Sequence, residues 1–238
     1  MRCVKSWVPA LLALAPAIAA ADPSPELELS AAKSRIGWGT TLGPDRVALA
    51  TDGGWNGAEA RAEMHAIVEA RVIDRASVFV TTSYEARARP GVGAAYQLLD
   101  PRSRALGLRA SFQYKPEGFT EPEGELEGQL VAMRPLGGGA GRLLLAYGQD
   151  PEGNEADAEL GASYVHHIAG AFVAGASARY RYGIAVKNGE PSWDLLGGAI
   201  AGFAPGAWRV ELFLGGTALD RMGTKSGAVA MLGASADL

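Results

Sequence analysis

Few residues in this chain could do chemistry, and each has a plainer reading. His65 follows Glu63 by two positions, and a histidine beside a carboxylate can serve as a general base. No serine at a recognisable spacing completes a nucleophilic set, so His65 reads as a hydrogen-bonding residue. His166 and His167 invite a metal, but neighbours on a strand point to opposite faces and do not chelate together. Gly137, Gly138 and Gly139 share only composition with a phosphate loop; without the G-x-x-x-x-G-K-[ST] pattern they read as a turn. The acidic runs at 116–125 (PEGFTEPEGE) and 150–159 (DPEGNEADAE) lack the ligand spacing of a calcium loop and read as solvated loops. The single cysteine, Cys3, lies in an apolar leader, which leaves no disulfide, thiolate metal site or cysteine nucleophile. No enzyme activity, cofactor or metal is expected.

The remaining polar chemistry is a set of charges at regular positions. In Ala60–Val72 (ARAEMHAIVEARV) every even position is apolar, and the odd ones are Arg61, Glu63, His65, Ile67, Glu69 and Arg71. A period of two over thirteen residues marks a β-strand, because side chains alternate across it. The same alternation recurs with Val78–Tyr84, Val92–Leu98, Leu106–Tyr114, Leu126–Ala132, Leu143–Tyr147, Ala158–Tyr164, Phe172–Tyr182, Trp193–Phe203, Trp208–Gly216 and Ala228–Leu238. That makes eleven clear strands. A twelfth is expected within 26–42, which could instead form a plug, and the Gly- and Asp-rich stretch Gly43–Gly57 reads as a long loop.

Short connections alternate with longer, more polar ones. The short ones are Ile73–Ala76, Asp100–Arg104, Leu136–Gly141, His167–Gly170 and Pro205–Ala207. The longer ones are Glu85–Gly91, Pro116–Gly124, Asp150–Ala156, Gly183–Pro191 and Asp220–Ser226. Short turns on one rim and long loops on the other suit a membrane barrel. Both ends of the wall reach the short-turn rim only if a strand precedes Ala60.

A soluble sandwich would alternate too, with its apolar face inward. Three features turn that face outward, toward lipid. It carries no charge within any clear strand, and a charge there costs about 2–4 kcal/mol near the bilayer midplane. Its large aromatics sit near strand ends, as two interfacial girdles would: Tyr84, Phe112, Tyr114, Tyr164, Phe172, Tyr180, Tyr182, Trp193, Phe203 and Trp208. The charged face also holds Phe79 and Phe213, as a partly filled lumen would. The expected lumen lining is Arg61, Glu63, His65, Glu69, Arg71, Arg109, Glu125, Glu127, Arg142, Glu159, Arg179, Arg181, Asp194, Arg209 and Glu211, joined by Arg134 and Asp157. Such a set either tunes solute selectivity or forms a salt-bridge network that fills the interior. Arg142, Arg179 and Arg181 against Glu125, Glu127 and Glu159 are expected to set a transverse field.

Met1–Ala21 reads as a cleaved export signal, with Arg2 and Lys5 before an apolar run and small residues at its end. Residues 22–238 then form one domain. The 22 basic and 26 acidic residues are interspersed, which excludes a nucleic-acid footprint. No apolar run after the leader is long enough for a membrane helix.

From about residue 27 onward the chain resembles bacterial outer-membrane β-barrel proteins, as a single antiparallel up-and-down transmembrane barrel of about twelve strands, or ten. The resemblance implies an outer-membrane location, with outer-membrane lipid and the barrel-assembly machinery as partners. Such proteins typically end in an aromatic residue that the machinery reads; this chain ends in Leu238. The implied function is a passive channel for small polar solutes through a mixed-charge lumen. The alternative is a closed barrel with a structural or surface-interaction role through its extracellular loops.

Overall fold

A computed structural model describes residues 43–84, 88–116, 124–136, 138–151, 153, 155–185, 193–220 and 223–238. Among these residues twelve strands run in order: β1 (Val47–Asn56), β2 (Arg61–Ile73), β3 (Ala76–Tyr84), β4 (Ala88–Leu99), β5 (Gly107–Pro116), β6 (Gly124–Leu136), β7 (Gly139–Gln149), β8 (Ala156–Ala169), β9 (Phe172–Ala185), β10 (Trp193–Phe203), β11 (Trp208–Asp220) and β12 (Thr224–Asp237). Each pairs antiparallel with its sequence neighbours, and β12 returns to β1 to close the barrel. Closure satisfies backbone groups between strands and leaves no open edge, which a strand structure in lipid requires.

The alternation sorts as expected. Leu212, Leu214, Ala199 and Ala176 stand exposed on the outer surface, while Arg209 is only 4% exposed inside. Ala199 faces Ala176 on one side and Leu214 on the other, so the apolar stripe runs continuously across β9–β11.

Two expectations are corrected. The stretch Gly43–Gly57 is not a long loop: it contains β1, which supplies the twelfth strand. Leu49, Thr51 and Trp55 face outward there, and Ala48, Ala50 and Asp52 inward. Its glycines serve close approach: a Cβ on Gly54 would stand 2.7 Å from the Met231 Cα of β12. β1 brings the wall's first strand to the short-turn rim, where Val47 and Leu238 exchange backbone hydrogen bonds at 2.8 and 3.1 Å. The strand or plug expected within 26–42, like the leader 1–21, lies outside the described residues.

Arg134 is the second correction. It shares the outward parity of Leu130 and is exposed, three residues from the β6–β7 turn. An arginine at a barrel rim can extend its stem along apolar surface and keep its guanidinium in the polar zone.

Candidate functional site in the barrel lumen

Inward-facing side chains meet across strands that are far apart in sequence. At the long-loop ends of β5–β10 they form a charged cluster. Lys115 pairs with Glu127 and lies 3.6 Å from Glu125. Glu127 also accepts from Gln113, at 2.7 Å, and from Gln129. Arg179 lies 3.3 Å from Asp194 and 3.8 Å from Glu159; Arg181 lies 3.7 Å from Asp194 and 4.0 Å from Asp157. Gly148 makes this possible, because a Cβ there would collide with the Glu125 carboxylate and touch that of Asp157. Five carboxylates thus share three cations, and Glu125 and Arg181 remain partly open, with side chains 37% and 42% exposed.

The wall of β1 and β2 carries a second group. His65 Nδ1 lies 2.8 Å from the Asp52 carboxylate directly opposite on β1. Glu63, expected beside His65, instead accepts from Asn56 at 3.1 Å and from Arg61 at 3.3 Å. Arg61 also pairs with Glu59 at 2.6 Å.

Toward the short turns the lumen closes. Met133, Ala140, Val165, Val173, Leu196, Ile200, Phe213, Val229 and Met231, drawn from β6 to β12, form one buried apolar cluster. Phe213 is 1% exposed and Ile200 2%; the wall of an open pore would be wetted. The inward aromatics lie over inward glycines on the neighbouring strand. Phe79 faces Gly93 directly, and a Cβ on Gly198 would stand 2.8 Å from the Phe213 ring. Around this layer sit the remaining predicted charges. Arg109 reaches across β4 and β3 to pair with Glu69 of β2 and donates to Ser77 of β3 at 3.1 Å. Arg209 pairs with Glu211. Arg142 is buried and donates to Ser163 at 3.1 Å. Arg71 lies at the rim, bonded to the Pro44 carbonyl at 3.0 Å. A cleft of about 10 Å³ between Asp52 and the Arg209–Glu211 pair has room for about one water molecule.

The predicted lumen set therefore separates into two levels. Arg179 and Arg181 do gather with Glu125, Glu127 and Glu159 at the long-loop end, but Arg142 lies lower, in the closed level. Sequence reading missed Asp52, hidden in the presumed loop, and Lys115, whose odd position matched the inward parity of Arg109. The predicted aromatics lie on the outer face, joined by Trp55, Tyr96 and Tyr147. His166 stacks on Tyr164 and bonds its hydroxyl at 3.1 Å, whereas His167 Nε2 contacts the Gly170 carbonyl at 2.7 Å, so the two serve different partners.

No family model matches the sequence, and comparison with curated proteins found no match. Solved structures do match. The NanC porin superposes with a TM-score of 0.59 at 12% identity, covering 80% of this chain and all of that one. The KdgM porin, solved in complex with disordered oligogalacturonate, gives 0.58 at 10% identity, over 81% of this chain and 99% of that one. This chain has the fold of a bacterial outer-membrane β-barrel. The translocator domain of the autotransporter NalP from Neisseria meningitidis shares it at a TM-score of 0.52, with 12% identity over 88% of this chain and 93% of that domain. The barrel is thus common to proteins that differ in role, and its work must be read from the lumen.

Proposed function

We propose that this barrel is a narrow outer-membrane channel for small polar solutes. A solute enters the charged vestibule at the long-loop end and passes the apolar layer when those side chains shift. The observation that carries this reading is the partly open, mixed-charge cluster of β5–β10, which presents acceptors and donors where a solute would arrive. Most of its charges are paired with one another, and the two extra carboxylates give the channel only a weak preference for cations. The shared fold of the NanC and KdgM porins supports the reading. In it, the leader is removed after export, the assembly machinery inserts the barrel, and no catalytic step is involved.

The test is conductance of the purified barrel in planar bilayers. Wild type gives small, brief steps, and Phe213→Ala with Ile200→Ala gives larger or longer ones. Silence from both proteins overturns the channel reading. A second reading, the closed barrel acting through its surface loops, is favoured by the near-complete burial of Phe213, Ile200, Val165 and Met133; that silence is what it requires.

A further inference from the structure

The short-turn rim is divided into two arcs. From β8 to β11 its outer face carries Tyr164, Phe172, Phe203 and Trp208, and the rings of Phe172 and Phe203 pack with centroids 4.8 Å apart. From β1 to β6 the rim carries arginines instead, with Arg134 on its outer face. Arg71 and Arg102 lie 3.4 and 3.2 Å from Asp45, and Arg102 is also held by Asp100 at 2.9 Å. Arg46, Arg75, Arg104 and Arg134 are exposed and, among the described residues, enter no ion pair. We propose that this arc binds the anionic head groups of phospholipids in the leaflet that surrounds the short-turn rim.

Position identifies the partner. Arg134 follows Leu130 and Ala132 on the outward face of β6, so its guanidinium stands where the lipid-facing stripe ends and lipid phosphates begin. Arg75 and Arg104 occupy the two adjoining turns, and Arg46 precedes β1 at the rim, opposite Arg71. All are arginine rather than lysine, and a planar guanidinium can grip two phosphate oxygens at once. Asp45 and Asp100 are engaged by Arg71 and Arg102, and Arg75 adds its charge at Asp100, so Arg46, Arg104 and Arg134 stay most available to an outside anion. Basic residues beside a membrane each add about a fivefold gain for an anionic surface, and salt weakens it. The aromatic arc supplies neutral interfacial anchors where arginines are absent.

The experiment titrates the folded barrel in neutral detergent with short-chain phosphatidylglycerol. Phosphatidylcholine of the same chain length and inorganic phosphate form separate arms, and binding is read by native mass spectrometry. Phosphatidylglycerol is expected to bind at least about tenfold better than phosphatidylcholine, with the preference falling as salt rises. Inorganic phosphate should not compete at equal concentration. Changing Arg46, Arg75, Arg104 and Arg134 to Gln should bring the two lipids to parity, while Lys225→Gln at the other rim should leave the preference intact. Should the fourfold variant fail to fold, Arg75→Gln with Arg104→Gln carries the test, with a partial loss expected. Equal binding in wild type, a preference that survives the arginine changes, or competition by free phosphate would overturn the proposal.

Discussion

Glu69 and Arg109 offer the sharpest energetic test of the filled lumen. Their side chains are 1% and 7% exposed, and Arg109 spans β4 and β3 to reach a carboxylate 40 positions away in sequence. Changing Glu69 to Leu leaves the guanidinium charge inside the wall without that carboxylate. Removing one member of a buried pair costs about 3–5 kcal/mol, or roughly two to four orders of magnitude in the folding constant. Replacing both, as Glu69→Leu with Arg109→Met, removes the stranded charge as well. That double variant should be neutral, or more stable than wild type by about 1–4 kcal/mol. The assay is equilibrium unfolding in guanidinium from phospholipid vesicles, followed by tryptophan fluorescence. A single variant costing under about 1 kcal/mol would refute burial of the pair. A double variant as damaging as the single one would refute the stranded-charge explanation.

Other expectations follow from the same architecture. Leu214→Arg places a charge at mid-strand on the outer face and should cost about 2–4 kcal/mol by the same unfolding assay; a water-exposed site would tolerate it within about 0.5 kcal/mol. Arg179→Glu with Arg181→Glu should turn a weakly selective lumen further toward cations, read as a shifted reversal potential in a salt gradient, and an unchanged potential would count against solute passage through the vestibule. In the β4–β5 turn, Arg102 holds the Asp100 carboxyl below the ordinary carboxylate range by hydrogen bonding and charge. Because the folded pKa is the lower one, this contact stabilises the fold above the unfolded value of about 3.9 and loses that effect as pH falls through the folded value. Carboxyl NMR of Arg102→Gln should show Asp100 titrating at higher pH than in wild type.

Which face most residues take was legible from the sequence, because a period of two survives wherever one side of a strand must be free of charge. β1 and Arg134, which stands outward at the rim instead of in the lumen, were the exceptions. Asp52, Gly53, Gly54 and Asn56 resemble a loop, yet inside a closed barrel Asp52 is met by His65, and Gly54 permits the close approach of β12. Alternation gives a residue's face but not its neighbours across the lumen. Nothing in the spacing distinguishes Arg142, buried beside Ser163, from Arg179, ion-paired in the vestibule. Nor does it reveal that Phe213 and Ile200 meet Met133 from the other side of the barrel; that depends on closure and tilt, which only the full pairing register defines.

Hydrocarbon meets the uncharged span of each strand's outer face, while the other face is enclosed. A nitroxide scan along β11 tests it most directly, with single cysteines placed from Val210 to Thr217 in a chain whose only native cysteine is Cys3. High collision rates with dissolved oxygen are expected at Val210, Leu212, Leu214 and Gly216, and low rates at Glu211, Phe213, Gly215 and Thr217. High access of a water-soluble nickel complex to Leu212 and Leu214, or the absence of a two-residue period, would contradict it.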